Sequence, residues 1–333
     1  MMDSLVSVII LSWNKKDEIK KSIGSVLNQT YKNIEAIVVD NNSTDGSVDM
    51  LESSGLNIRL VKLAKNLGVA GGRNVGIKAA KGEFIFFLDD DAVIVAENGL
   101  ELLVNKCREN SNIAVICCKI INYYSKEVEN FYFKYADEKY KDTEFYVVDF
   151  SGGASIIRRS VIDKVGVYRE DSLRQAEETD LSYRILDAGY NILYYPEVEV
   201  LHKAPQGKKN EYNIFYYGIR NGLLIGWRYL PLSRAILFTL WNIFADFVRA
   251  GKIEKIGCYF KANLDAFYCL PATIFGSRKV IKKETLAKID YLKENIISDS
   301  RKLEAIKLDS IFKYIWKEMK ARFSKNTFNQ NGN

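Results

Sequence analysis

The sequence predicts an α/β protein: a mostly parallel sheet with helices on both faces, followed by a helical carboxyl-terminal extension. Three observations predict it. Strand and helix signals alternate over the first 120 residues, each apolar strand stretch runs into a polar cluster, and the last third turns basic, aromatic and helical. Residues 5–11, apolar and β-branched apart from Ser7, read as the first strand. Residues 18–27 place Ile19, Ile23, Val26 and Leu27 on one helical face. Residues 34–39 repeat the strand pattern, 49–52 suggest a short helix, and 57–63 a third strand. A helix over 69–80, a fourth strand over 83–88 and a fifth over 113–118 complete the alternation.

In open parallel sheets ligands gather beyond the carboxyl ends of the strands. Ser12-Trp13-Asn14, Asp40-Asn41-Asn42, Asn66 and Asp89-Asp90-Asp91 therefore converge on one rim. The triple aspartate closes the apolar run 84–88. Crowded carboxylates repel and raise one another's pKa, a cost that a bound cation relieves; a solvated acidic turn is the alternative. Alternation along an extended chain puts Asp89 and Asp91 on one face and Asp90 on the other. Asp40, directly after a strand, suits hydrogen bonds from a ribose or a base, while Ser43, Thr44 and Asp45 suit a helix cap. The glycine-rich stretch 66–76 opens a helix, so its N–H groups and Arg73 could meet a phosphate. Its spacing is neither GxGxxG nor GxxxxGK[ST], so neither dinucleotide nor ATP binding follows.

At 333 residues the chain is long enough for a domain and an appendage. Met1-Met2-Asp3-Ser4 has no basic leader segment, which points to a cytoplasmic catalytic part. The five cysteines form no CxxC pair and are expected to be reduced and inert. Residues 203–333 carry 24 Lys and Arg against 11 Asp and Glu, in a chain of net charge +6, which leaves residues 1–202 acidic.

Taken together, residues 6–14, 22–31, Asp40, 66–76 and 87–91 resemble the family 2 glycosyltransferases of GT-A fold, which include rhamnosyl- and galactofuranosyltransferases. The resemblance resumes at Ser151-Gly152-Gly153-Ala154, Glu177-Glu178-Thr179-Asp180-Leu181 and Val200-Leu201-His202. It implies an inverting, metal-dependent hexosyltransferase acting in cell-surface polysaccharide or glycoconjugate synthesis. Its donor would be a UDP-, dTDP- or GDP-sugar, and its acceptor a saccharide or a lipid-linked saccharide.

By that resemblance Ser12, Trp13, Asn14, Asp40, Asn66, Arg73, Asn74, Asp89 and Asp90 serve the donor. Asp89, Asp91 and His202, the sole histidine, hold Mn2+ or Mg2+. Glu178 is the general base, with Asp180 as an alternative or orienting group, and Gly152, Gly153 and Glu177 face the acceptor. Trp13 departs from the family's frequent Tyr, and Glu178 from its frequent Asp.

The expected division is a catalytic domain over 1–210 and a basic helical region over 211–333. Within the first, 1–120 binds the nucleotide-sugar and 121–210 the acceptor. Residues 122–148, rich in Tyr, Phe and Lys, are either an acceptor-facing insertion or a surface loop. The apolar run 235–245 is too short to span a bilayer. With Arg249, Lys252, Lys255 and Lys261 nearby, it suits a peripheral membrane surface at the inner face of the cell membrane, a homodimer contact, or packing on the catalytic domain. Nucleic acid is not an expected partner. Two alternatives stay open: a non-catalytic glycosyltransferase-like binding protein, and a sugar nucleotidyltransferase.

Overall fold

The computed structural model describes residues 4–130, 138–203 and 208–296. The first half alternates as expected: β1 (Val6–Ser12), α1 (Lys16–Leu27), β2 (Ile34–Asp40), α2 (Ser47–Glu52), β3 (Arg59–Lys62), α3 (Gly68–Ala79) and β4 (Phe84–Asp89). A short β5 (Ala92–Ile94), α4 (Gly99–Glu109) and β6 (Ile113–Asn122) follow. Next come β7 (Phe145–Val147), β8 (Ala154–Arg158), α5 (Arg159–Val165), α6 (Glu177–Asp187) and β9 (Asn191–His202). The chain continues as α7 (Lys208–Tyr229), α8 (Leu232–Lys252), α9 (Ile256–Ala272) and α10 (Lys283–Glu294).

The sheet order is β3-β2-β1-β4-β8-β6-β9-β5, with β7 also on β9. The first four strands are parallel, whereas β8 runs antiparallel to both β4 and β6. A strand pattern carries no direction, so the reversal of β8 was not readable in the sequence. β1 and β4 are buried along their apolar lengths, as the central strands of a two-sided sheet must be. α3 lies directly on β1: a Cβ at position 72 would fall 2.3 Å from Cδ1 of Leu11. The glycine-rich stretch thus serves close helix–sheet packing.

After β9 the chain builds a second, smaller core from Phe215, Ile219, Ala250, Cys258, Tyr259 and Ala262, between α7, α8 and α9. α10 returns to the sheet: Ile289 and Leu292 belong to the main core, and Thr285 donates to Asp187 at 2.9 Å. Residue 210 is therefore not where the packing divides. Among the described residues no helix is long and apolar enough to cross a membrane. Four cysteines are buried, and burial pushes the Cys107 thiol up to about 12, in keeping with inert packing.

Asp180 locks the two cores together. Its carboxylate is wholly buried and accepts bonds from Arg184 Nε at 3.0 Å, Arg228 Nη1 at 2.9 Å and the Tyr229 hydroxyl at 2.9 Å. Asp180, expected as an alternative base or an orienting group, makes its side-chain bonds within α6 and to α7. Asp180→Ala would leave Arg228 buried without this partner, a loss of about 3–5 kcal/mol. Urea unfolding followed by circular dichroism measures it, and a loss below about 1 kcal/mol, the scale of a surface pair, would contradict the account.

Candidate active site

The topology aligns the strand ends on one rim. Ser12 pairs with Asp40 across β1 and β2, Leu11 with Asp89 across β1 and β4, and Ala92 with His202 across β5 and β9. The β4–β5 connection carries Asp89, Asp90 and Asp91, so three strand ends present carboxylates and an imidazole to the same space. Ligand atoms of Asp89, Asp91 and His202 lie within 4.8 Å of one another. Two carboxylates and an imidazole are a donor set that suits Mn2+ and tolerates Mg2+.

Each member is held by its surroundings. The Asp89 N–H donates to the Gly153 carbonyl at 3.0 Å. His202 Nε2 lies 3.3 Å from Asp91 Oδ1, and its Nδ1 lies 2.8 Å from Glu129 Oε2, which orients the ring. Lys15 Nζ donates to Asp91 Oδ2 at 2.8 Å. Burial works against a charged imidazole, but the bond to Asp91 and the carboxylates of Asp89 and Glu129 outweigh it and bring His202 up to about 9. Burial also works against the Asp91 carboxylate, yet His202 and Lys15 hold it below its ordinary value. Asp90 behaves oppositely: burial and the adjacent Asp91 push it up to about 7, and its Oδ2 accepts the Trp13 N–H at 2.9 Å. Asp89 and Asp91 offer ligand atoms to one space while Asp90, in the turn after β4, bonds Trp13; Asp90 and Asp91 are both buried.

Arg73 joins this cluster to the acidic turn of α6. It is buried, with Nη1 2.6 Å from Glu178 Oε1 and Nη2 3.3 Å from Asp89 Oδ1. Its guanidinium lies 5.9 Å from the Phe87 ring centroid and 5.7 Å from that of Tyr168. Glu177 stands behind, 3.9 Å from Arg73, and burial followed by repulsion from Glu178 pushes its carboxyl above the usual range. Gly152 and Gly153 make the arrangement possible. A Cβ on Gly152 would fall 2.1 Å from Arg73 Nη1, and one on Gly153 2.0 Å from Asp89 Oδ2.

Several expected donor contacts are placed differently. Arg73 lies beneath the rim, engaged by carboxylates. Asn74 donates to the Tyr168 carbonyl at 2.9 Å and accepts the Tyr168 N–H at 3.0 Å, which ties α3 to the 168–170 segment. Asn14 joins two loops by accepting the Thr44 N–H at 2.8 Å, and Asn66 accepts the Gly68 N–H at 2.8 Å within its own turn. Asp40 is buried and accepts the Ser43 N–H at 3.0 Å. Ser12 is buried with its hydroxyl unpartnered, and Trp13 is 54% exposed beside it, a pair suited to a polar and a stacking contact.

Four further residues escaped the sequence. Lys15 and Glu129 bond Asp91 and His202 of the candidate metal group, and the Tyr168 ring lies 5.7 Å from the Arg73 guanidinium. Asp149, wholly buried, accepts hydroxyl bonds from Thr179 and from Ser182, the latter at 2.9 Å, and so braces the turn that carries Glu178. None lies in a recognisable motif; only an acid beside a strand hinted at Asp149. Of the residues 122–148, 131–137 lie outside the described residues; the rest supply Glu129, β7 and part of β6.

Residues 7–166 match the family described as Glycosyl transferase family 2. An Escherichia coli UDP-Glc:alpha-D-GlcNAc-diphosphoundecaprenol beta-1,3-glucosyltransferase, WfgD, is 42% identical over 112 residues, covering 33% of this chain and 44% of that protein. The chain thus spans less than half the length of this curated relative. Among solved structures, S. aureus TarS in complex with UDP-GlcNAc superposes with a TM-score of 0.57 at 19% identity, over 87% of this chain and 88% of that one. The Pyrobaculum calidifontis mannosyltransferase PcManGT, solved with GDP-Man and Mn2+, gives a TM-score of 0.54 at 19% identity, over 80% and 76%. These likenesses show the GT-A fold.

Gly153→Ala would force Asp89 off its position and weaken Mn2+ binding by about tenfold or more, read by electron paramagnetic resonance of free Mn2+. An unchanged affinity would contradict the ligand assignment. Burial pushes Asp149 up to about 7. A carboxyl raised on folding contributes stability at low pH that is lost as pH climbs from its unfolded value towards about 7. Asp149→Asn should therefore flatten that fall in urea titrations across the same range; an unaltered slope would contradict it.

Proposed function

We propose that the chain, whose residues 7–166 match the family 2 glycosyltransferases, transfers a hexosyl group, with inversion, from a nucleotide-sugar to a saccharide or lipid-linked saccharide at the cytoplasmic face of a membrane. The observation that carries the reading is one ion-paired cluster. Arg73 bonds Glu178 on one side and Asp89 on the other, which sets a carboxylate base beside the metal-ligating group. We assign donor binding to the part built by residues 1–120 and acceptor binding to 121–210.

In this reading the nucleoside meets Trp13, Ser12 and Asp40 at the ends of β1 and β2. Asp89, Asp91 and His202 would hold Mn2+ or Mg2+ on the donor diphosphate. When bound, that ion supplies Lewis-acid neutralisation of the charge building on the leaving diphosphate. Lys15, 2.8 Å from Asp91, adds a second positive charge on the same side. Glu178 takes the proton of the acceptor hydroxyl as that oxygen bonds to the anomeric carbon and the bond to the diphosphate breaks on the opposite face. Arg73 fixes where Glu178 stands, and Asp149 fixes the turn beneath it.

UDP and GDP are the nucleotides bound in the neighbouring TarS and PcManGT structures, and the E. coli relative is named for a diphosphoundecaprenol-linked acceptor. These support a lipid-linked sugar as acceptor class and a UDP- or GDP-sugar as donor. The test is release of nucleoside diphosphate from a panel of UDP-, dTDP- and GDP-sugars with Mn2+. We expect one donor to be hydrolysed, EDTA and Asp91→Ala to abolish the release, and Glu178→Gln to cut sugar transfer by about 10²–10⁴. Release with no donor, or release indifferent to EDTA, would overturn the reading. Pyrophosphate formed from a sugar phosphate and a nucleoside triphosphate would point to a nucleotidyltransferase instead.

A further inference from the structure

α8 and α9 are amphipathic in the reverse sense to helices that close a core. The buried positions of α8 are Ala235, Thr239 and Ala250, whereas Leu237, Leu240, Phe244 and Phe247 are 53%, 61%, 59% and 47% exposed. Their spacing of three and four residues draws one stripe along the helix. α9 repeats the pattern: Ala262, Asn263 and Ala266 face inward, while Leu264 and Tyr268 are 69% and 87% exposed. Phe275, in the turn after α9, is 89% exposed. Apart from Cys258 and Tyr259, which α9 gives to the second core, the buried positions of these two helices are small or polar, and large apolar groups are left outside. A contiguous face of this kind marks a surface that another phase or partner covers.

Charge selects the partner. Lys252 and Lys279 are exposed beside the outward stripe, while Arg249 and Lys261, also exposed, lie over the Phe215 and Tyr216 rings of α7 at the edge of the same unit. Residues 208–296 carry fifteen Lys and Arg against seven Asp and Glu. A second copy docked by a two-fold axis would bring these cations against themselves, while anionic headgroups complement them. Among the described residues no helix is long and apolar enough to cross a bilayer.

The same unit is bolted to the candidate active site. Asn221 on α7 donates to the carbonyls of Ser172, Arg174 and Gln175, each at 2.8 Å, and Arg228 Nη2 lies 2.9 Å from Asp171 Oδ2. Those residues form the loop that enters α6 at Glu177 and Glu178. We infer that the outward face of α8 and α9 is the seat of this chain on an anionic lipid surface, and that α7 fixes the acceptor side of the active site relative to that plane. The seat rests on the helical surface alone; only its purpose, meeting a lipid-linked acceptor, rests on the proposed transfer.

The test floats the full chain with vesicles of phosphatidylcholine containing about one third phosphatidylglycerol, and with phosphatidylcholine alone. The expected result is flotation with the anionic vesicles, weakened by salt, and lower by about tenfold or more on the neutral ones. Leu240→Glu combined with Phe244→Glu should lose about tenfold or more of the binding. Its circular dichroism and its donor hydrolysis in solution should match the parent. Arg249→Glu combined with Lys252→Glu should lose the preference for anionic lipid. Failure of the parent to float, or equal flotation of parent and variants, would overturn the inference. So would a dimer, seen by sedimentation without vesicles, that the Leu240/Phe244 variant dissociates. Flotation without hydrolysis of any donor would uphold the seat and count only against the proposed reaction.

Discussion

A buried guanidinium needs carboxylates around it, and this constraint at Arg73 organises the rest of the site. Removing an arginine from water is costly unless its donors are met with good geometry. Here they are met by Glu178 and Asp89, with Glu177 further off and two aromatic rings flanking the guanidinium plane. Those carboxylates come from the end of β4 and the start of α6, elements far apart in sequence. Satisfying one charge therefore sets the distance between the Asp89, Asp91 and His202 cluster and Glu178. Gly152 and Gly153 follow from the same constraint, because no side chain fits where the guanidinium and the Asp89 carboxylate approach the backbone.

The sheet supplies the frame for this pairing. Parallel β1, β2 and β4 deliver their polar ends together, and β9, reaching back along β6 and β5, brings His202 to Asp91. Around that centre the other polar side chains are mostly engaged in holding loops. Asn14 joins the first two strand-end loops, Asn74 anchors the segment before α6, and Asn221 collects three carbonyls of the loop beneath Glu177. Positions that a motif groups as binding residues therefore divide into a few that face the rim and several that build it.

Much of this was legible in the sequence, for identifiable reasons. A carboxylate directly after a buried apolar run can only emerge at a strand end, so Asp40 and the triple aspartate located the rim. Motif position does not tell which partners a side chain takes, so the bonds of Asn74 to Tyr168, of Arg73 to Glu178 and of Asp180 to Arg228 were not readable in the sequence. Lys15, Glu129 and Asp149 belong to no local pattern; tertiary contacts alone bring them to His202, Asp91 and the α6 turn. The apolar run over 235–245 in α8 was visible in the sequence. Which side of it faced out depended on Ala235, Thr239 and Ala250, whose small size only matters once α7 and α9 are in place.

The central claim is that Asp89, Asp91 and His202 form a metal centre facing a base held by Arg73. The most direct measurement is a crystal structure of the chain with Mn2+ and a nucleoside diphosphate, with anomalous scattering collected for manganese. The account predicts one anomalous peak at ligating distance from Asp91, His202 and Asp89, bridged to the diphosphate, with the Arg73–Glu178 pair intact beside it. An ion bound elsewhere on the rim, or a nucleotide held with no contact between its phosphates and these three side chains, would contradict it.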